Sequence, residues 1–220
     1  MIRVVAVDGP SGVGKSTVSK QLAGLLNWTY LDTGAMYRTV TLAWLRDGAK
    51  GEGYRDPEWL AGLDMDFQGE RIILSGADVA TEIRSQAVTD NASTVSAEPA
   101  VRKRLTRMQR EIGSRRPCIL DGRDIGTVVF PDSFFKVFLT ASSQVRARRR
   151  WLELGGKGSG LTLEKVQADL DERDRKDSTR DLAPLKAAED AFLLDTENLT
   201  EQQVVDILYR EARERLRRAE

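Results

Sequence analysis

Apolar residues fill positions 4–7 after Ile2 and Arg3, and Asp8 and Gly9 then cut the run off. A short apolar run closed by a glycine-rich turn predicts a buried strand over 2–7. From Lys15 onward Val18, Leu22, Leu25 and Leu26 recur at helical spacing, so a helix should lay this stripe on a sheet. A second strand is predicted over 28–31, with Asp32 or Thr33 capping a helix that runs through Met36 and Leu45. Further along, the pattern predicts a helix over about 98–112, strands over 118–120 and 135–139, and a helix over 143–154 stopped by Gly155 and Gly156. A helix over 163–176, a last strand over 192–194 and a terminal helix with a Thr200–Gln203 capping box complete the chain. Strands alternating with helices predict a parallel sheet covered on both faces, an α/β fold of three layers.

The texture changes between about 53 and 96. Asp56-Pro57-Glu58 resembles a helix start, 65–67 and 71–74 resemble short strands around the turn Gln68-Gly69-Glu70, and Gly76-Ala77-Asp78 resembles a second turn. This predicts a small subdomain inserted into the core. Residues 155–160 are the most glycine-rich stretch and the best candidate for a mobile segment. No repeat or linker divides the chain, so a single domain is expected, with a core of about 1–52, 97–153 and 177–220, an insert of about 53–96 and a lid of about 154–176.

Composition narrows the chemistry. With 40% apolar and 31% charged residues among 220, the chain reads as globular. No apolar run reaches the roughly 20 residues of a membrane span, and the opening one is too short for a signal-peptide core. No membrane association and a cytoplasmic location are therefore expected. The single Cys118 rules out a disulfide framework, and the absence of histidine removes Ser-His-Asp hydrolysis, histidine-ligated metals and histidine bases. Formal net charge is zero and acids interleave with the arginines, which suits a pocket for a compact anion better than a nucleic-acid surface. The basic run 210–218 is expected to be solvated helical charge.

Between the first strand and helix, Gly9-Pro10-Ser11-Gly12-Val13-Gly14-Lys15-Ser16 matches the Walker A pattern in full and leads into Thr17. Such a loop turns successive amides toward phosphate oxygens at a positive helix N-terminus. Lys15 would span the β- and γ-phosphates and Ser16 would ligate Mg²⁺. None of Asn27, Asn91 and Asn198 is followed by lysine, so a GTPase base-reading motif is missing. Leu74-Ser75-Gly76 breaks off at Ala77, which fails an ABC-type signature. A small-molecule kinase remains.

An acceptor that is itself a phosphate monoester puts two anions face to face, so arginines should converge on it from several segments. Arg38, Arg102, Arg123, Arg173 and Arg180 are the candidates, although each taken singly also fits an ordinary surface ion pair. Asp121 and Asp124 flank Arg123 directly after a buried strand, where paired carboxylates need a ligand, a metal or an arginine partner. Asp121 is also placed to help position Mg²⁺, through water. Arg146 and Arg150, four apart on one helix face before the glycine-rich segment, fit a hinged lid that carries arginines to ATP phosphates; a solvated basic helix fits equally.

Taken together, residues 9–16, Leu-Asp-Thr-Gly-Ala-Met-Tyr-Arg (31–38), Asn-Ala-Ser (91–93), Glu-Pro-Ala-Val-Arg (98–102), Asp-Gly-Arg-Asp-Ile-Gly-Thr-Val-Val-Phe-Pro (121–131) and the stretch from Arg173 to Ala-Pro-Leu (183–185) resemble bacterial-type cytidylate kinases over nearly the whole chain. The resemblance implies a P-loop NTPase core with a monophosphate-binding insert and a lid. It implies ATP-dependent phosphorylation of CMP and dCMP, with Mg²⁺ as cofactor, in a monomer serving pyrimidine nucleotide metabolism. Carried over by position, Arg38 and Arg123 would hold the CMP phosphate near Thr33, where members commonly have serine. Ser93, Arg102 and Asp124 would read cytosine, Arg173 and Asp177 the ribose, and Arg180 the base edge or phosphates. Lys15, Arg123 and Arg150 would be catalytic. Other acceptors, such as another nucleotide or shikimate, and an RNA-associated ATPase are the alternatives.

Overall fold

The structure is a computed structural model that describes residues 3–49, 51–68 and 71–219. Five parallel strands form the central sheet in the order β2-β6-β1-β7-β8, where β1 is Val4–Asp8, β2 Thr29–Asp32, β6 Cys118–Gly122, β7 Phe135–Thr140 and β8 Phe192–Asp195. Period-two alternation divides its apolar residues between two faces. Val4, Ala6, Cys118 and Leu120 face α2 (Thr33–Arg46) and α5 (Pro99–Arg115) through Met36, Val40, Val101 and Leu105. Val5, Val7, Ile119, Val137 and Leu139 face α1 (Lys15–Leu26) and α8 (Glu201–Ala219) through Val18, Leu22, Val205 and Leu208. This is the three-layer α/β arrangement that the pattern predicts.

The caps follow their predicted chemistry. Asp32, rather than Thr33, caps α2 by accepting from the Ala35 amide at 2.9 Å, which leaves Thr33 free to turn its hydroxyl inward. Asp56 caps the short helix α3 (Pro57–Gly62). Thr200 and Gln203 close a reciprocal box at α8, at 2.8 and 3.3 Å.

Two details depart from expectation, and a third lies where nothing was predicted. The stretch after 53 holds a three-stranded antiparallel sheet, β3 (Met65–Gln68), β4 (Arg71–Leu74) and β5 (Ala77–Asp78), so Ala77 and Asp78 are a strand and the turn sits at Ser75 and Gly76. The turn expected between β3 and β4 includes Gly69 and Glu70, which lie outside the described residues. A further helix, α4 (Gln86–Ala97), was not anticipated; its buried stripe is only Val88, Ala92 and Val95 amid serine, threonine and asparagine. Beyond β6, where the pattern predicted no element, the run Ile125–Val129 forms a single π-helical turn. Phe67, Ile72, Leu74, Val88 and Val95 lie in the same apolar cluster as Val4 and Leu120, so this stretch packs directly on one face of the main sheet's core.

Helices α6 (Ser143–Glu153) and α7 (Leu163–Thr179) form a hairpin with its own small core of Ala147, Val166 and Leu170, against which Trp151 packs. Trp151 Nε1 donates to the Leu161 carbonyl at 2.8 Å, and a Cβ on Gly156 would lie 3.6 Å from its ring. Trp151 therefore staples the glycine-rich connection, which folds as a 3₁₀ turn over Gly156–Ser159. In α8 the expectation of solvated charge fails at Arg215. Its guanidinium stacks 4.2 Å above the Phe135 ring, a cation–π contact at the sheet edge.

Gly113 in α5 is a point where packing overrides propensity. Alanine is normally favoured over glycine inside a helix by about 1 kcal/mol. A Cβ here would lie 2.5 Å from Phe130 Cζ and 3.3 Å from Cys118 Sγ, both in buried residues with little room to retreat. Overpacking of this kind destabilises by about 1–3 kcal/mol, so Gly113→Ala should lower the urea midpoint at unchanged m-value. A midpoint at or above that of the parent would show that Phe130 can move aside.

Candidate active site

The C-terminal ends of β1, β2 and β6 lie side by side, because Asp121 pairs in register with Val7 on one strand and Asp32 on the other. This edge is where parallel α/β sheets bind ligands. The glycine loop leaves from β1 here. Gly9 has φ +149°, and a Cβ on it would lie 2.4 Å from the Leu139 carbonyl oxygen, so the loop passes against β7 only because residue 9 has no side chain. Gly12 and Gly14 also adopt positive φ, 74° and 93°, which curls the loop into the start of α1. Val13 is buried in the core and anchors the curl from below, while Thr17 is exposed in the first turn of α1.

Lys15 is buried and donates to the Pro10 carbonyl at 2.7 Å, folding back over its own loop. Burial pushes its pKa well below the ordinary value, and Arg123 and Arg173 push it the same way, while Asp121 and Asp174 oppose them. Ser16 Oγ donates to Asp121 Oδ2 at 2.7 Å, Tyr30 OH donates to Asp121 Oδ1 at 2.9 Å, and Thr33 Oγ1 donates to the Asp121 carbonyl at 2.7 Å. Burial, reinforced by the Asp32 carboxylate on the next strand, lifts the Asp121 pKa to about 7 against the pull of Ser16, Lys15 and Tyr30. Ser16 and Asp121 thus offer hard oxygen atoms at the mouth of the loop. That donor set suits Mg²⁺, which takes one or two protein oxygens and completes its shell with phosphate and water. Among the described residues no cluster of three or more acidic, histidine or cysteine side chains offers an all-protein metal cage.

Facing the loop, buried cations and carboxylates alternate. Arg102 pairs with Asp124 Oδ2 and also donates to the Ser96 carbonyl at 3.2 Å. Arg180 reaches Asp124 Oδ1 at 3.4 Å and Asp177 Oδ1 at 3.6 Å. Arg123 Nε donates to Asp177 Oδ2 at 2.9 Å, and its other arm donates to Ser11 Oγ at 2.6 Å. Burial raises the Asp177 pKa, but Arg123, Arg173 and Arg180 together outweigh it and hold the carboxyl below its usual value. Arg173 is half-buried, with a buried Nε atom that finds no partner. Burial, then the charges of Arg123 and Arg38, bring its pKa down to about 10. Arg38 donates to the Ile83 carbonyl and to Thr89 Oγ1 at 3.1 and 2.9 Å, and feels Arg84, Arg150 and Arg123 in turn. Lys15, Arg38, Arg123 and Arg173 therefore converge on one region, and Arg173 belongs electrostatically with the other three.

The remaining expected residues divide. Arg146 is buried and wholly committed to the protein: it donates to the Ala141 and Ser11 carbonyls at 3.1 and 2.9 Å and pairs with Asp174. Arg150 is instead 44% exposed and pairs with Glu153 on its own helix, although its charge reaches Arg38. Ser93 lies on α4, where its carbonyl accepts from Ser96 Oγ at 3.0 Å. Three participants were missed. Tyr30 and Asp174 lack any local signature beyond polarity; Asp174 lies three residues before Asp177 on α7 and shares its face. Asp8, ending an otherwise apolar strand, was a visible anomaly. It accepts from the Ile125 and Gly126 amides at 2.9 and 2.8 Å, which builds the π-turn behind Asp124.

A Walker A loop at the sheet edge, a buried carboxylate on the loop's serine and a bank of arginines opposite define a phosphotransferase of the P-loop type. Comparison with known proteins makes this specific. Residues 5–214 match the profile of the cytidylate kinase family. A cytidylate kinase of Caldanaerobacter subterraneus subsp. tengcongensis is 48% identical over 93% of this chain and 92% of its own. One of Mycolicibacterium paratuberculosis is 50% identical over 93% and 92%. The chain belongs to the cytidylate kinase family. Among solved structures, an uncharacterized protein from Eubacterium ventriosum covers 97% of this chain, and 99% of its own, at a TM-score of 0.53 and 10% identity, a likeness of fold alone.

Asp8 supplies a pH test. Burial outweighs its two amide donors and lifts its pKa from 3.8 to about 6. A carboxyl that holds its proton more tightly when folded contributes stability that is fully present below the unfolded pKa and lost as pH rises through the folded one. The difference in unfolding free energy between the parent and Asp8→Asn should therefore shrink by about 1–2 kcal/mol between pH 4.5 and 7. Urea titrations of both proteins check this, and a difference that stays constant or widens would place the titration elsewhere.

Proposed function

We propose that the chain transfers the γ-phosphoryl group of ATP directly to CMP or dCMP, yielding ADP with CDP or dCDP. The observation that carries this reading is the convergence of Lys15, Arg38, Arg123 and Arg173 beside the glycine loop, next to a buried Arg102–Asp124 pair. Two polyanions must approach within bonding distance, and one buried and three half-buried cations gathered in one cleft are costly unless phosphates neutralise them.

The loop amides and Lys15 hold the donor phosphates, while Arg38, Arg123 and Arg173 hold the acceptor phosphate with Thr33 nearby. Ser16, with Asp121 helping through water, would hold Mg²⁺, which would supply charge neutralisation for the donor phosphates. The attacking oxygen of a nucleoside monophosphate is already ionised, so no strong base is required and no phosphoenzyme forms. Lys15 and Arg123 stabilise charge on the group in flight. Arg150, exposed on α6, completes that set when the lid closes and water is excluded. Residues 53–96 serve as the acceptor-binding insert and 154–176 as the lid, in a monomeric cytoplasmic enzyme of pyrimidine nucleotide metabolism.

Base choice rests on Asp124 and Arg102, with Ser93 beside them. Cytosine offers a donor at N4 and acceptors at N3 and O2, which a carboxylate beside a guanidinium complements; uracil reverses the first two. Asp177 would hold the ribose, and Arg180, which reaches Asp124, the base edge or phosphates.

The decisive assay follows ADP release with ATP, Mg²⁺ and each of CMP, dCMP, UMP, AMP and shikimate. CMP and dCMP should turn over far faster than the rest, and turnover without an acceptor, or only with RNA, would overturn the proposal. Asp124→Asn, which keeps the side-chain shape but adds a donor, should reduce the CMP/UMP ratio of kcat/KM by about 10-fold or more. An unchanged ratio would remove Asp124 as the discriminator.

A further inference from the structure

Ser11 occupies a position that the Walker A pattern leaves unspecified. All three of its polar atoms are held by charged side chains from other elements. Its amide donates to Asp174 Oδ1 of α7 at 2.9 Å, its carbonyl accepts from Arg146 of α6 at 2.9 Å, and its Oγ accepts from Arg123, just past β6, at 2.6 Å. Arg146 and Asp174 are themselves paired, and the residue is only 4% exposed. Main-chain atoms make the first two contacts, so any residue at position 11 could make them. Only the third requires a side-chain hydroxyl.

We infer that the Ser11 hydroxyl is a positioning group for phosphoryl transfer: it fixes the acceptor-side guanidinium of Arg123 in register with the donor loop. This inference rests on the reaction proposed above. The physical need is plain in the geometry. Arg123 is tethered firmly through Nε to Asp177 at 2.9 Å and only at 3.4 Å through Nη1 to the carbonyl of its own neighbour Gly122, so without a further contact the guanidinium can still pivot about the Asp177 end. The bond from its other arm to Ser11 removes the pivot and ties the arginine to the loop that cradles the donor. Phosphoryl transfer depends on the distance and alignment of attacking oxygen and phosphorus, and a misplacement of about 1 Å can cost roughly 100-fold in rate. A serine inside the donor loop that grips an acceptor-side arginine sets that distance within the protein, before either nucleotide arrives. Neither substrate needs to touch the hydroxyl for this to work, so its loss should be felt in transfer rather than in either binding step.

Ser11→Ala removes the Oγ contact and leaves the amide and carbonyl contacts in place. Loss of one hydrogen bond to a charged group predicts a kcat reduced by about 10- to 100-fold with CMP and ATP saturating. Dissociation constants for CMP alone and for ADP alone, measured by calorimetry, should stay within about twofold of the parent. The second arm is a double-mutant cycle with Arg123→Lys, whose compact ammonium lacks the planar fork that spaces two donors between Asp177 and Ser11. In that background, Ser11→Ala should change kcat by less than about twofold. A kcat near the parent's in the single variant, an equal loss in either dissociation constant, or the same loss in both backgrounds would each overturn the inference. If the parent itself phosphorylates no nucleoside monophosphate, the functional proposal has failed; if the parent is active and the cycle shows no coupling, only the role of Ser11 has.

Discussion

Buried charge of one sign cannot be concentrated in a cleft without charge of the other sign threaded through it. In this chain the threading is literal. Arg102, Asp124, Arg180, Asp177 and Arg123 follow one another in contact and alternate in sign, from α5 across the end of β6 to the glycine loop. Buried ion pairs add little net stability over well-packed apolar residues, whereas removing one partner leaves an uncompensated charge. Such a row is therefore kept as a unit, and what it provides is geometry: guanidinium groups held at defined points without collapsing onto one another. Arg173, whose Nε has no partner, is the member of the cationic group left most in need of an added anion.

The sheet sets the other half of the arrangement. Parallel register brings Asp32 and Asp121 directly opposite each other on adjacent strands, and like charges at that spacing repel. The repulsion is relieved locally: Asp32 turns to cap α2, while Asp121 gathers Ser16, Tyr30 and Thr33 around its oxygen atoms. On the other side of Asp121, Asp8 ends β1 and spends both carboxylate oxygens on the π-turn at Ile125 and Gly126, behind Asp124. One carboxylate thus organises the donor mouth and the other supports the acceptor wall. Strand termination and site construction are the same event.

Features with a local pattern were legible in the sequence. The first strand, the glycine loop and the α1 stripe follow from spacing alone, and Asp121, Arg123 and Asp124 stood out because charge directly after a buried strand demands a reason. The parts that escaped are those decided by distant partners. The π-turn at Ile125–Val129 is spelled like a strand and is bent by Asp8, far away in the chain. Helix α4 hides because small polar residues dilute its apolar stripe, and β5 is two residues long. Arg146 matched the spacing of a lid arginine, yet it is buried and held by Ser11, Ala141 and Asp174. Spacing put Arg146 and Arg150 on one helix face but carried no information about which of them the protein would consume internally.

Helix α7 joins the two halves of the site. Asp174 and Asp177 are three residues apart and share a face, as neighbours at that spacing do. Asp174 holds the amide of Ser11 in the donor loop, while Asp177 holds Arg123 on the acceptor side. The hairpin of α6 and α7 has its own apolar core and a tryptophan staple across its connection, so displacement of one helix is coupled to the other. It follows that α7 cannot shift relative to the donor loop without also shifting the acceptor clamp. An enzyme that assembled these two grips independently could close over ATP with the acceptor side unformed, where water would be the available nucleophile. With both grips on one helical face, the position of the glycine loop and the position of Arg123 are set by a single element.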